Sequence, residues 1–317
     1  VSKPLVIVTE PLASGPLEWL GERAEVIEAS PGEPAFEDNI ARADALVVRT
    51  YTIIDKALLA RAKKVRVIGR AGVALDNFDL PACRAAGVTV VHALGSNASA
   101  VAEYVFAIIF DAVRPRLYLD EALDLEGWNE LRGELIADRQ LEEMTLGVYG
   151  LGRIGKRVAR IASAFNMRVI YNDLLDIPVE QRHGAVPVDV DTLLAESDIL
   201  TVHVDDRPAN RNLLNDEKFG KCKEDVLFLS CARGLIVDAA ALARFLAANP
   251  SAQAICDVHE PEPFGPDYPL LPLDNAALAP HIAAATEFAK TNMSWVVRDV
   301  VRVLNGEAPE HPAPMPE

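Results

Sequence analysis

Thr145-Leu146-Gly147-Val148-Tyr149-Gly150-Leu151-Gly152-Arg153-Ile154-Gly155 is the stretch whose reading decides the fold. An apolar strand-like run meets three glycines spaced G-x-G-x-x-G, and residues Ile154 to Ala164 continue with helical periodicity. Strand, tight turn and helix in that order form the first half of a βαβ unit. Gly150 permits the turn, Gly152 lets backbone approach a pyrophosphate, and Gly155 lets helix and strand pack closely. The N–H groups and positive dipole end at the start of the helix favour phosphate. A second strand, Arg168–Asn172, runs into Asp173. A carboxylate there accepts hydrogen bonds from ribose hydroxyls and repels a 2′-phosphate, so the stretch predicts a dinucleotide site that selects NAD over NADP.

The same alternation extends in both directions. Leu5–Thr9, Val26–Glu28, Ala45–Arg49, Val65–Gly69 and Val88–His92 read as buried strands, with helical patterns at Asp55–Ala62 and Asp79–Ala86 between them. Near Asn97 the pattern changes to a long apolar helix, Ala98–Val113, then a polar, mixed stretch, Asp120–Glu143. Alternation resumes through Ile199–Val204, Val226–Cys231, helix Asp238–Ala248, Ala252–Val258 and Ala276–Ala279. A single long helix, Thr286–Leu304, and a Pro-rich, disordered tail, Pro309 to Pro316, are expected at the end. The prediction is α/β, with two doubly wound parallel-sheet domains. A discontinuous substrate domain takes residues 1–96 and 287–317, and a Rossmann NAD-binding domain takes 97–286.

Bulk composition narrows the partners. The chain has 317 residues, 31 basic against 47 acidic side chains and a formal charge of −16, which disfavours nucleic acid and anionic membranes. No apolar run approaches a membrane span, and the start lacks a signal-peptide layout. Cys83, Cys222, Cys231 and Cys256 fit no metal-ligand or disulfide spacing, so a reducing cytoplasm and no metal are expected.

Three polar residues fall at or just past predicted strand ends, where open α/β sheets place their ligands: Arg233, Glu262 and His281. An Arg can grip a carboxylate and polarise the adjacent carbonyl, a His can exchange a hydroxyl proton, and a Glu can orient the imidazole. Taken singly, each also fits a plain structural role. His92, His183, His203 and His311 read as structural.

Ser230-Cys231-Ala232-Arg233-Gly234, Asp257-Val258-His259-Glu260-Pro261-Glu262-Pro263 and Pro280-His281-Ile282-Ala283-Ala284-Ala285-Thr286 resemble three blocks of the D-isomer-specific 2-hydroxyacid dehydrogenases. So do the Gly150–Gly155 turn, Gly69-Arg70-Ala71-Gly72-Val73-Ala74-Leu75-Asp76-Asn77 and Asn97 through Glu103, so the likeness covers nearly the whole chain. The resemblance implies a flavodoxin-like substrate domain, and Arg233, Glu262 and His281 as the catalytic set. It implies cofactor contacts from Gly150, Gly152, Arg153, Ile154, Gly155, Asp173, Cys231, Ala232, Asp257, Ile282, Ala283 and Ala284. Asp257 would hold the nicotinamide carboxamide. Val73, Ala74 and Asn97 would meet the substrate, and a two-fold dimer would form through the Ala98–Val113 helix and the arm to Glu143. Arg49 and Arg70 are most similar to the phosphate-holding positions of 3-phosphoglycerate dehydrogenases, though interdomain salt bridges explain them equally well. The chain is too short to include the C-terminal regulatory module that many such enzymes carry. Glyoxylate, hydroxypyruvate or D-lactate reduction is the alternative within the family, and an NAD(H)-sensing corepressor-like binding protein is the alternative outside it.

The sequence departs from the family at three places. Ala74 stands where Gly is usual. Asp205-Asp206 adds two carboxylates expected to alter the adenine end and disfavour NADP further. His259 replaces the usual Phe, with no physical account from sequence.

Overall fold

The computed structural model describes residues 3–114 and 116–314. The chain divides into two compact units, one of residues 1–97 and 285–317 and the other of 98–284. Both are α/β with all-parallel sheets.

In the first unit, β1 (Leu5–Val8), α1 (Ser14–Gly21), β2 (Glu25–Glu28), α2 (Pro34–Glu37), β3 (Ala45–Val48), α3 (Lys56–Arg61), β4 (Val67–Arg70), α4 (Leu80–Ala85) and β5 (Thr89–His92) alternate. The strand order is β2-β1-β3-β4-β5. All residues of β1, β3 and β4 are buried, as continuous apolar strands covered on both faces must be. Asp55 and Asp79 start α3 and α4 by accepting hydrogen bonds from Leu58 and Ala82 N–H, each such cap contributing about 1 kcal/mol.

The second unit holds α5 (Ala98–Val113), α6 (Leu125–Glu134), β6 (Thr145–Tyr149), α7 (Arg153–Ala164), β7 (Arg168–Asn172), β8 (Val186–Pro187), α8 (Val190–Glu196), β9 (Ile199–Val202), α9 (Asp216–Phe219), β10 (Leu227–Ser230), α10 (Ala239–Ala248), β11 (Gln253–Cys256) and β12 (Ala276–Leu278). The sheet order β12-β11-β10-β9-β6-β7-β8 reverses direction between β6 and β9. That reversal opens a crevice at the carboxyl ends of these two strands, where ligands of doubly wound sheets bind. One side of the sheet packs on α5 and α7 through Val105, Ile109, Val158 and Ala162. The other packs on α8 and α10 through Leu193, Leu194, Leu242 and Leu246. The capped helix α6 lies inside the stretch expected to be polar and mixed; its N-cap Asp124 holds Gly127 N–H, and it buries no residue.

The chain then returns to the first unit as α11 (Glu287–Ser294) and α12 (Val297–Leu304). The expected single helix is therefore broken at Trp295-Val296. Ser294 Oγ donates to the Lys290 carbonyl and accepts from Ala13 N–H, and such back-bonding bends helices. Beyond the break α12 presses on β4 so tightly that a Cβ on Gly69 would lie 2.5 Å from Val300. The tail corrects a second expectation. Pro312 bridges Val91 antiparallel, Ala313 N–H donates to Val90 O, and Asp299 accepts from the N–H groups of Glu310 and His311. A chain whose amides are satisfied this way is ordered on the sheet edge despite its prolines. The remainder of the expected disordered tail, residues 315–317, lies outside the described residues.

Candidate active site

The turn after β6 is built by leaving side chains out. Gly150 has φ of +96°, and a Cβ there would sit 2.8 Å from the His203 backbone that follows β9. A Cβ on Gly155 would lie 2.2 Å from the Gly150 carbonyl, whereas one on Gly152 would meet nothing within 4 Å. The first and third glycines thus close the turn, and the second leaves open space at the start of α7. Asp173 locks the arrangement: Oδ2 accepts from Leu151 N–H at 2.7 Å and Oδ1 from Leu175 N–H at 2.9 Å. An open glycine at a helix N-terminus beside a strand-end carboxylate fits a dinucleotide pyrophosphate and ribose. Arg153 is exposed at the first position of α7, and Ile154 packs against the apolar core below it.

Asp205 and Asp206, the two carboxylates expected to alter the adenine end, each face a basic side chain. Asp205 is spent on Arg207, which grips it through Nε at 2.7 Å and Nη2 at 2.5 Å, and on Asn210 Nδ2 at 2.8 Å. Asp206 lies on the Arg233 side, with Oδ2 4.0 Å from Arg233 Nε. His203, just before this run, has its pKa pushed down to about 3 by burial and is therefore neutral.

Three loops converge at the carboxyl ends of β10, β11 and β12. Arg233 follows β10 and directs Nη1 to the Ala232 carbonyl at 2.6 Å. A Cβ on Gly234 would lie 1.9 Å from the His259 carbonyl, so glycine is what lets the Arg233 loop touch the loop after β11. That second loop carries Glu262, and the chain after β12 carries His281. Glu262 Oε2 and His281 Nδ1 are 2.7 Å apart, while Glu262 Oε1 accepts from His259 N–H at 2.7 Å. Burial pushes the Glu262 carboxyl up, but the bonds from His281 and His259 outweigh it and leave the pKa lowered. His281 is raised above its ordinary 6.5 by the Glu262 bond, against burial, with Arg233 pushing the other way. This is an oriented acid–base pair beside a guanidinium.

Asp257 sets the pose of His281. It is fully buried, its carbonyl accepts His281 N–H, and its two carboxylate oxygens accept from Ile282 and Ala283 N–H at 2.7 and 2.8 Å. These bonds hold His281 at φ +57°, a region that a non-glycine residue occupies at some cost. Cys231, Ala232 and Ala283 are buried beside the cluster, and Ala284 packs against the same core. Ile282 is 42% exposed. Cys231 is raised by burial, so it remains a thiol.

The first unit presents its predicted residues separately. Arg49 begins a loop after β3 whose N–H groups, from Arg49 to Thr52, all donate to the Glu10 carboxylate at 2.7–3.1 Å. Burial raises Glu10, but these four donors bring its pKa down. Glu10 escaped sequence reading, since a carboxylate just past a strand carries no pattern of its own. Arg70 is 9% exposed, and its guanidinium lies over Gly72, where a Cβ would fall on Nη1. Val73 and Ala74 are half-buried, the Val73 carbonyl lies 2.7 Å from His92 Nδ1, and Ala74 does not need the left-handed conformation that glycine would serve. Asn97 ends this unit, half-buried.

The model of the family described as "D-isomer specific 2-hydroxyacid dehydrogenase, NAD binding domain" matches residues 106–283. A D-3-phosphoglycerate dehydrogenase of Archaeoglobus fulgidus is 36% identical over 95% of this chain and 57% of its own length. A glyoxylate reductase of Thermofilum pendens is 32% identical over 98% of this chain and 94% of its own length. A crystal structure of a protein from Thermus thermophilus superposes with a TM-score of 0.82 at 31% identity, covering 98% of this chain and 100% of that one. The chain spans 57–59% of the length of the first two phosphoglycerate dehydrogenases it matches.

Proposed function

Because the chain belongs to the D-isomer specific 2-hydroxyacid dehydrogenase family, we propose that it moves a hydride between NAD(H) and a D-2-hydroxy acid or its 2-keto acid. The observation that carries the reading is the 2.7 Å contact between His281 Nδ1 and Glu262 Oε2 at the strand ends. The Gly150–Gly155 turn, Arg153 and Asp173 would hold the dinucleotide, with Cys231, Ala232 and Ile282 to Ala284 lining it. When bound, the nicotinamide supplies the hydride acceptor or donor.

The chain's own residues supply the rest. His281 takes the hydroxyl proton during oxidation and returns it during reduction, through the Nε2 that its Glu262 bond leaves available. Glu262 fixes the ring and stabilises the imidazolium. Arg233 holds the substrate carboxylate and polarises the adjacent carbonyl. Val73, Ala74 and Asn97, in the first unit, are the further substrate-binding positions of this reading. Asp257 keeps His281 in its left-handed pose, a positioning role, besides the carboxamide contact that the family resemblance assigns to it.

We put D-3-phosphoglycerate first among substrates, with Arg49 as its phosphate contact. The Glu10 clasp holds the Arg49 loop in place, and Arg70, whose guanidinium lies over Gly72, is the second phosphate contact of this reading. The test is NAD(H)-coupled turnover across 3-phosphoglycerate, D-glycerate, D-lactate, glyoxylate and hydroxypyruvate. Turnover on none would overturn the enzymatic reading, and a preference for glyoxylate over the phosphorylated acid would overturn the substrate.

The same reading includes a homodimer in the cytoplasm. Leu117, Tyr118, Leu125, Trp128 and Ile136 expose apolar surface in and around α6, as an arm that packs on a second copy would. Sedimentation at micromolar concentration tests the dimer. All four cysteines are thiols, in keeping with a reducing compartment. No described helix is long and apolar enough to cross a membrane, and no described His, Cys, Asp or Glu cluster would hold a metal.

A further inference from the structure

His259 stands where the family usually has Phe, and the structure gives that substitution work to do. The residue is 6% exposed and touches both segments that carry the acid–base pair. On its own loop, its N–H holds Glu262 Oε1 at 2.7 Å. Across the gap, Nε2 lies 2.8 Å from the Ala279 carbonyl, two residues before His281. Nδ1 lies 3.3 Å from the Tyr268 hydroxyl. The ring also packs edge-on to Phe264 and Tyr268, with centroids at 4.7 and 5.4 Å.

We propose that His259 is a positioning residue whose imidazole clasps the Glu262 loop to the strand end that delivers His281. The inference rests on the reading of Glu262 and His281 as the acid–base pair. A carbonyl oxygen can only accept, so Nε2 carries a proton and donates to Ala279, while Nδ1 shares a hydrogen bond with the Tyr268 hydroxyl. Both ring nitrogens are thereby engaged: one bond reaches β12's exit, the other reaches the aromatic pair beneath the loop. Phenylalanine would fill the same volume but leave the Ala279 carbonyl without this donor. The Glu262–His281 distance would then depend on backbone packing alone, and displacements well under an ångström matter to proton transfer. The charged groups acting on His281 are Glu262, Asp257 and Arg233, so a shift of the loop relative to the strand end reads out directly in its titration.

The test compares the full chain with His259→Phe, His259→Gln and Tyr268→Phe, following the His281 ring by NMR titration without cofactor, with His281→Asn for assignment. Steady-state NADH turnover is measured on the 2-keto acid that the wild type reduces fastest. For His259→Phe the expected outcome is a drop in the His281 pKa toward 6.5 and a loss of about tenfold in kcat, with NADH binding unchanged. His259→Gln, which keeps a donor toward Ala279, should recover most of both. Tyr268→Phe removes only the hydroxyl and should move the His281 titration the same way by less, which serves if His259→Phe does not fold. An unchanged His281 titration in folded His259→Phe, or in Tyr268→Phe where His259→Phe does not fold, overturns the proposal. Full turnover in His281→Asn would instead overturn the acid–base reading while leaving the titration as a test of the clasp.

Discussion

The turn at Gly150 and the cluster at His281 stand at the same end of one sheet, yet they are made by opposite means. The turn is contiguous in sequence and works by absence: no Cβ at Gly150 or Gly155, open space at Gly152. The cluster joins two segments, Glu262 and His281 being 19 residues apart, and works by presence, with Glu262, His281, Asp257 and His259 satisfying one another. Binding a common cofactor asks mainly for backbone shape, whereas moving a proton asks for side chains held to a few tenths of an ångström.

That contrast can be broken at either side. The largest effect is expected from His281→Asn, which removes the proton carrier: kcat should fall by about 10²–10⁴-fold with NADH binding by fluorescence within about twofold. Comparable losses in both would mean that the two regions are one. Gly150→Ala should do the reverse, placing a Cβ 2.8 Å from the His203 backbone at φ +96°. The overlap alone costs about 1–3 kcal/mol, read as a lowered Tm together with weakened NADH binding.

Asp173→Asn comes next. It keeps the size but leaves one oxygen to accept, so one of the bonds from Leu151 and Leu175 is lost and the other becomes neutral, each worth about 1.5–3 kcal/mol when charged. KM for NADH should rise about tenfold, with kcat spared and discrimination against NADPH reduced. The smallest effect is a pH shift from Glu262→Gln. His281 is raised above 6.5, so oxidation gains and reduction loses rate as pH climbs through its folded pKa. Removing the carboxylate should move both limbs to lower pH. The same pair tunes stability: His281's share is complete below pH 6.5 and is lost as pH rises through its folded value. Glu262's share is complete above pH 4.5 and is lost as pH falls through its lowered value. The difference in Tm between wild type and Glu262→Gln should therefore peak between these two pH values.

The two regions also differ in how much of them the sequence discloses. Gly150, Gly152, Gly155 and Asp173 announce themselves, because a strand, a turn and a helix follow one another without interruption. Parallel strands such as Leu5–Val8 and Ala45–Val48 are as plain, being buried on both faces. Arg233, Glu262 and His281 stood out singly only as polar residues near strand ends, and their grouping came from resemblance to known blocks. Glu10, His259 and the Asp205–Arg207 pair were illegible for a shared reason: each acts through a backbone or side-chain partner that no local spacing encodes. The ordered Pro-rich tail and the break at Trp295 belong with them, since Asp299 and Ser294 act there through tertiary partners.

The first unit is assembled from two stretches that flank the second, since α12 packs on β4 and the tail pairs with β5. On the ribosome this inverts the usual order, in which the N-terminal domain folds first. Residues 98–284 hold a complete sheet and can fold as soon as they emerge, while β4 and β5 wait for residues not yet made. We expect protease challenge of a released chain truncated at residue 284 to find the second unit protected and the first one cut. Protection of both would show that five strands alone suffice.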